Sequence, residues 1–149
     1  MESHNRSNDT VTNVTEIVRI MEEYGVQPSD VFIDDIGVGR GVSDRLQELG
    51  HGVNGVSVGE KPQDETKYKN IKAEAFWHAR MWIVAGGKLL RDDRFYQLTW
   101  IKYKITTDKV IQIELKPDLK KRTGKSPDHA ESFMLTHVQA PPQPGVRLL

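Results

Sequence analysis

Cysteine is absent from this sequence of 149 residues, and no apolar run is long. The lack of cysteine excludes a disulfide framework and any metal site built from thiolates. No stretch approaches the roughly 20 apolar residues that a helix needs to cross a bilayer, which excludes a membrane span. The opening MESHNRSNDT lacks a basic segment followed by an apolar one, so we expect no secretory signal. The hydrophobic content of 37% is enough to fill the core of one folded domain.

The chain as a whole has no net charge, because 21 basic residues balance 21 acidic ones. The two signs are nevertheless separated along the sequence. Residues 1–35 carry eight acidic and two basic side chains (net −6), whereas residues 102–125 carry eight basic and three acidic ones (net +5). Such separation creates local fields that the net charge hides. The basic stretch is a candidate for phosphate contacts, although a merely solvated surface has the same composition.

Hydrophobic periodicity and turn residues predict that helices alternate with strands. The expected helices cover residues 11–24, 42–49, 70–85 and 92–100, and a last helix has Ser126 as its cap and Pro127 at its first position. The expected strands cover residues 31–33, 52–58, 103–106 and 110–115. Residues 1–10 are predicted to be disordered, and the proline-rich residues 140–149 are predicted to form a mobile tail. This order of elements indicates an α/β sheet rather than a helical bundle.

Three glycines in the run VFIDDIGVGRG predict a flexible turn over residues 37–41, between a strand and a helix. A dinucleotide-binding turn has a similar setting, but its third glycine and its later acidic residue are not at the required spacing here. A phosphate loop fits less well, because no Gly-Lys-Ser/Thr closes the turn. Nucleotide binding therefore stays as an alternative function.

Two carboxylates stand at positions where α/β proteins bind ligands. Asp34 follows a buried strand, and Asp128 lies in the first turn of the last predicted helix, where free backbone N–H groups favour an ionised side chain. Brought together, these carboxylates could bind Mg²⁺ or Mn²⁺, which prefer oxygen ligands. The structural alternative is that Asp35 caps a turn and Asp128 only satisfies the end of its helix. Glu74 is interpreted as a simple surface acid.

The run VFIDDIGVGRGVSDRLQELGHGVNGVSVGE resembles the middle of the nuclease domain in the large subunit of tailed-phage terminases, which has a ribonuclease H-like fold. Two later segments agree with this resemblance. YKNIKAEAFWHARMWI resembles the Asn-x-x-Ala-Glu helix of that family, and IELKPDLKKRTGKSPDHAESFMLT resembles its last strand, lysine-rich loop and Ser-Pro-Asp helix. The resemblance implies a ribonuclease H-like mixed sheet flanked by helices over residues 11–139.

In that family, acidic residues hold two metal ions that cut double-stranded DNA during genome packaging. By position, the resemblance implies that Asp34 and Asp128 are catalytic ligands for Mg²⁺ or Mn²⁺. Asp35 and Glu131 are second-choice ligands. The residues implied to bind DNA are Lys116, Lys120, Lys121, Arg122 and Lys125. The implied partners are double-stranded DNA and other terminase or portal components, in the cytoplasm of the bacterial host of a phage or prophage.

One departure from the family concerns the first strand of the domain, which carries a further catalytic aspartate. The polar segment MESHNRSNDTVTN offers no apolar strand for it. We therefore expect a domain that is incomplete at the N-terminus, with weak or absent cleavage by the isolated chain. The exposed sheet edge could instead pair with another copy or another polypeptide, so a non-catalytic DNA-binding or assembly module of prophage origin is a second alternative.

Overall fold

The structure is a computed structural model that describes residues 10–138. In chain order the elements are α1 (Thr10–Tyr24), a 3₁₀ turn (Pro28–Asp30), β1 (Phe32–Asp34), α2 (Val38–Glu48), β2 (Asn54–Val56), α3 (Ile71–Val84), a 3₁₀ helix (Asp93–Trp100), β3 (Tyr103–Ile105), β4 (Ile111–Ile113), α4 (Lys116–Thr123) and α5 (Asp128–Leu135). The predicted disordered segment and the predicted tail lie outside the described residues, apart from Thr10, which begins α1. The chain divides into two compact units between Ser57 and Val58.

In the first unit, helix α1 packs against α2, and α2 connects the parallel strands β1 and β2. Ile33 in the middle of β1 pairs with Gly55 in the middle of β2. Val14 and Met21 lie two helical turns apart and therefore face the same side of α1. The buried core of this unit consists of Val14, Met21, Val42, Leu46 and Val53. The predicted helix over 11–24 and the predicted strand over 31–33 are confirmed to within one residue.

Helix α2 begins at Val38, four residues earlier than predicted, so the prediction of a flexible glycine turn over residues 37–41 is wrong. Gly37 has a positive φ of 65° and stands just before the first helical residue. Gly39 lies inside the helix, and a Cβ there would come within 1.8 Å of the carbonyl oxygen of Asp34. This glycine therefore lets the first turn of α2 approach the end of β1 closely.

Gly39→Ala is expected to lower the free energy of unfolding by about 1–3 kcal/mol, because the added methyl group would collide with the Asp34 carbonyl. Gly41→Ala is the matched control in the same helix, where the nearest atom to the added Cβ lies 3.6 Å away in Thr10. Alanine is the better helix former, so the control should gain about 0.5–1 kcal/mol. Urea unfolding followed by circular dichroism measures both changes, and equal stabilities would contradict the close approach.

In the second unit, α3 packs against α5 and against strand β4. Asn70 caps α3, because its side-chain oxygen accepts a hydrogen bond of 3.0 Å from the N–H of Ala73. Strands β3 and β4 form an antiparallel hairpin in which Lys104 pairs with Gln112. The helix predicted over residues 92–100 forms as a 3₁₀ helix, and it packs against α5.

The lysine-rich segment, expected to be a loop, is helix α4. Pro117 and Asp118 in its first turn favour a helix start, and basic residues in its last turn complement the helix dipole. Gly124 ends α4 in the left-handed conformation, with a φ of 71°. Helix α5 begins at Asp128, one residue later than predicted, and Ser126 does not cap it. The hydroxyl of Ser126 instead donates a hydrogen bond to the carboxylate of Asp128.

Each of the four strands within residues 10–138 spans three residues. They form two separate sheets, one parallel and one antiparallel, of two strands each. Together with the five α-helices of the described residues, these strands define a mixed α/β fold, and the predicted fold class is confirmed. No helix in the described part of the chain has the length and the apolar character that crossing a membrane requires.

Candidate functional site

Two consecutive aspartates lie at the end of β1 in the first unit. Asp34 is the last residue of the strand and is exposed. The N–H of Asp35 donates a hydrogen bond of 2.9 Å to the carbonyl oxygen of Val56. The carboxylate of Asp35 accepts one of 2.5 Å from the hydroxyl of the buried Ser43. Asp35 thus ties β1 to β2 and α2, whereas Asp34 is the more exposed of the two carboxylates.

Asp128 is the first residue of α5 in the second unit, and its side chain is 64% exposed. Its carboxylate accepts a hydrogen bond of 2.6 Å from the Ser126 hydroxyl and lies 3.4 Å from the ammonium nitrogen of Lys116. The hydrogen bond from Ser126 and the charge of Lys116 hold the pKa of this carboxyl below its ordinary value. Asp128 is therefore ionised at neutral pH and already lies beside a positive charge.

Glu131, one helical turn after Asp128, is held by two lysines. Its Oε1 lies 2.6 Å from Nζ of Lys72, and its Oε2 lies 2.6 Å from Nζ of Lys116. The side chains of Glu131 and Lys72 are each 20% exposed, so the protein shields most of this ion pair from water. These four residues, Lys72, Lys116, Asp128 and Glu131, are called the lysine–carboxylate cluster below.

Burial by itself raises the pKa of Glu131, but the hydrogen bonds from Lys116 and Lys72 outweigh it and hold the pKa below the ordinary 4.5. Burial by itself lowers the pKa of Lys116, because it disfavours the charged ammonium group. The hydrogen bonds from Lys116 to Glu131 and Asp128 outweigh burial, so the pKa is raised above its ordinary value. The carboxylates of Asp128 and Glu131 and the ammonium group of Lys116 are consequently ionised at neutral pH.

Glu131→Gln is expected to make the stability of the protein less dependent on pH in the acid range. A carboxyl whose pKa is lower in the folded state contributes stability above its unfolded pKa, and this contribution is lost as the pH falls through the folded pKa. Glutamine does not titrate, so the free energy of unfolding should fall less in the variant between pH 5 and pH 3. Urea unfolding at each pH measures this, with the exposed Glu65→Gln as control. Parallel curves for the unmodified protein and Glu131→Gln would refute the lowered pKa.

The structure engages two of the five basic residues implied to bind DNA in contacts within the protein. Lys116 belongs to the lysine–carboxylate cluster. The guanidinium of Arg122 donates hydrogen bonds of 2.6 Å to the carboxylate of Glu114 and to the carbonyl oxygen of Trp100. The other three are exposed on α4 or just after it: Lys120, Lys121 and Lys125. Their ammonium groups are the ones most accessible to a polyanion.

Glu74 is buried at 7% exposure, so its interpretation as a surface acid is wrong. Its two carboxylate oxygens accept hydrogen bonds of 2.8 and 3.1 Å from the N–H groups of Gln63 and Asp64. Helix α3 thereby anchors the loop that precedes it. One sequence signal could have indicated the burial of Glu74. It lies among alanines and aromatic residues in KAEAFW, and a charged side chain in such an apolar context needs hydrogen-bond partners. Lys72, two residues earlier, was also missed, and no local pattern distinguishes it.

The described residues bring together part of the predicted site. Asp128 and Glu131 share one cluster with Lys116, whereas Asp34 and Asp35 lie at the end of β1 in the first unit. Within residues 10–138, no group of three or more acidic or histidine side chains is arranged to hold a metal ion. The prediction that Asp34 and Asp128 jointly bind a cation stays a prediction.

Structures with this fold are known from a phage terminase. A lysine-to-alanine variant of the nuclease domain of the large terminase subunit gp2 of bacterial virus Sf6, with manganese, matches with a TM-score of 0.65 and 19% identity, over 86% of this chain and 72% of that chain. The variant with calcium matches with a TM-score of 0.64 and 19% identity, over 86% and 71%. A further structure of the nuclease domain gives a TM-score of 0.59 and 18% identity, over 86% and 71%. No protein-family model and no curated protein matches the sequence.

At such low identity the likeness shows the fold alone, which is that of the matched nuclease domain. The resemblance found in the sequence is confirmed at this level. The matched share of 86% is larger than the share of the chain that either unit contains, so the likeness includes residues of both units.

Proposed function

We propose that this protein is a metal-dependent nuclease of the kind found in terminase large subunits. The observation that carries the proposal is the fold, which matches a viral terminase nuclease domain over 86% of this chain. Solved structures of that domain include manganese and calcium, which supports a divalent cation here. The proposed substrate is double-stranded DNA. The proposed role is cutting during genome packaging in the cytoplasm of the bacterial host, together with other terminase or portal components.

The proposed ligands of the cation are Asp34 and Asp128. Both are exposed carboxylates at an end of a structural element, and oxygen donors of this kind suit Mg²⁺ or Mn²⁺. Asp35 and Glu131 are less exposed than Asp34 and Asp128, so we assign them outer positions from which they orient ligands. When bound, such an ion supplies an activated water molecule and stabilises the departing oxygen of a phosphodiester.

The proposed DNA contacts come from the exposed lysines Lys120, Lys121 and Lys125. Lysine ammonium groups bind backbone phosphates without reading the base sequence, and they release counterions when they do so. The affinity for DNA should therefore be largely independent of sequence and should decrease as the salt concentration rises. Lys116 lies beside Asp128, and its charge would attract a phosphate to the ligand carboxylate.

The test of the proposed function is supercoiled plasmid incubated with the purified chain and Mn²⁺. We expect slow nicking that requires the cation, because no group of three or more acidic or histidine side chains within residues 10–138 is arranged to hold it. Asp128→Ala should abolish the nicking. The matched control is Asp118→Ala, which removes an exposed aspartate from the first turn of α4 and should leave the nicking unchanged.

Three outcomes of this assay would count against the proposal. Nicking that survives Asp128→Ala refutes the assignment of the site. Nicking that persists in excess chelator refutes the requirement for a metal. No nicking together with no detectable binding of Mn²⁺ refutes the nuclease function itself.

One observation favours a second candidate function, a non-catalytic assembly module. Strand β1 pairs with β2, and no other strand within residues 10–138 pairs with β1. A strand with an open edge can accept a strand from another chain. Light scattering after size-exclusion chromatography measures such self-association. A monomer at every concentration would count against it.

The geometry does not favour nucleotide binding. Two of the three glycines that suggested it, Gly39 and Gly41, belong to helix α2, so no glycine loop is present at this place. Thermal unfolding with millimolar ATP, GTP or NAD checks this, because a ligand that binds the folded state raises the melting temperature. We expect no shift.

A further inference from the structure

Lys72 joins the lysine–carboxylate cluster from a distant part of the sequence, 59 positions from Glu131. It lies in the first turn of α3, and its backbone N–H donates a hydrogen bond of 2.9 Å to the carbonyl oxygen of Val58. Its ammonium nitrogen lies 2.6 Å from Oε1 of Glu131, and its side chain is 20% exposed. The protein therefore holds a positive charge in a defined place at one end of the cluster.

The contacts of Glu131 assign one oxygen to each lysine. Lys72 contacts Oε1, and Lys116 contacts Oε2 at 2.6 Å while it also lies 3.4 Å from the carboxylate of Asp128. Because Lys72 occupies Oε1 of Glu131, Lys116 contacts Oε2. From this position Lys116 also reaches the carboxylate of Asp128. The four side chains together carry two positive and two negative charges, so the cluster has no net charge.

We propose that Lys72 is a positioning residue that controls how tightly the site around Asp128 holds a divalent cation. This inference rests on the proposed nuclease function. Lys72 acts through Glu131: it balances the charge of this carboxylate and keeps Oε1 occupied, and it does not itself contact the cation or the DNA.

Loss of the Lys72 charge would leave two carboxylates and one ammonium group, with a net charge of −1. A more negative cluster attracts a cation more strongly, and partial burial makes this effect larger than it is in water. The vacated Oε1 also becomes an additional oxygen donor for a hard cation. Lys116 would meanwhile shift toward the vacated oxygen and away from Asp128, so tighter binding would not bring faster cleavage.

The experiment measures Mn²⁺ binding to the full chain without DNA, by isothermal titration calorimetry. Lys72→Met should tighten binding by about 10-fold, while nicking at saturating Mn²⁺ stays equal or decreases. Lys72→Arg keeps the charge and should restore the binding of the unmodified protein. Lys104→Met removes an exposed lysine from β3 and controls for the change in overall charge. Lys72→Gln replaces Lys72→Met if the latter fails to fold, as judged by thermal unfolding.

The outcomes separate this inference from the proposed function. If the unmodified protein binds Mn²⁺ and Lys72→Met binds it equally or more weakly, the inference is wrong and the proposed function stands. If Lys104→Met tightens binding as much as Lys72→Met does, overall charge is responsible and the inference is wrong. If the unmodified protein binds no Mn²⁺, both are wrong. Tighter binding in Lys72→Met alone, with restoration in Lys72→Arg, supports the inference, because a merely structural role would weaken binding and cleavage together.

Discussion

Asp34→Asn and Asp128→Asn are each expected to weaken Mn²⁺ binding by about 100-fold or more, because even residues that only orient a metal ligand are worth about 10–100-fold in affinity. Asparagine keeps the size of the side chain but removes its negative charge, and hard cations prefer the charged oxygen. Asp34 is exposed and the Asp128 side chain is 64% exposed, so neither change should alter the free energy of unfolding by more than about 1 kcal/mol.

Isothermal titration calorimetry with Mn²⁺ measures this loss, and the plasmid assay should show the matching loss of nicking. The matched controls, Asp44→Asn and Asp118→Asn, change exposed aspartates on α2 and α4 and should bind Mn²⁺ as the unmodified protein does. Loss of binding in only one of the two ligand variants would refute the assignment of the other aspartate.

Leu119→Ala is expected to lower the free energy of unfolding by about 2–5 kcal/mol, the range for truncation of a buried leucine. Leu119 is 2% exposed in the middle of α4, a helix of eight residues. A helix of this length is not stable by itself in water, so the burial of Leu119 is the main force that holds it in place. Lys116 begins the same helix, and loosening of α4 would therefore also disturb the lysine–carboxylate cluster.

Urea unfolding measures the effect of Leu119→Ala, and Leu115→Ala is its matched control. Leu115 immediately precedes α4 and is 59% exposed, so its truncation should change the free energy of unfolding by less than about 0.5 kcal/mol. Similar losses in the two variants would contradict the view that the core holds α4 through Leu119.

The sequence predicted those parts of the fold in which one local pattern dominates. Val14 and Met21 repeat at helical spacing and define the buried face of α1. The apolar run before Asp34 is bounded by turn residues and predicted a buried strand; the strand forms, but Phe32 and Ile33 are only partly buried. Asn70 was not singled out as a cap, but the helix that it begins was predicted to within one residue. In each of these cases the tertiary packing reinforces the local preference.

Where two signals conflicted, the prediction followed the wrong one. Three glycines predicted a flexible turn, but Gly39 is needed inside α2 because the helix passes so close to the Asp34 carbonyl. The family resemblance implied a lysine-rich loop, although Pro117 and Gly124 mark the two ends of a helix in the same segment. Proline and glycine constrain the backbone directly, whereas lysine charge says little about conformation, so the former should have had more weight.

Local spacing placed Glu131 on the same side of its helix as Asp128, but it could not predict the contact of Lys72 with the lysine–carboxylate cluster. Lys72 and Glu131 are 59 positions apart, and nothing near Lys72 indicates that its ammonium group meets a carboxylate. The family resemblance suggested Glu131 as a metal ligand. Such a resemblance compares acidic residues by position and does not show that Lys72 and Lys116 contact this carboxylate. A contact between charges that are distant in sequence becomes visible only when the packing of α3 against α5 is known.

The parallel pairing of β1 with β2 also determines when the end of β1 takes its final position. Ile33 pairs with Gly55, so the ladder cannot form until the intervening segment, with α2, has closed. During synthesis on the ribosome, Asp34 is therefore made long before its strand can be completed. Its carboxylate is placed only after β2 has left the exit tunnel.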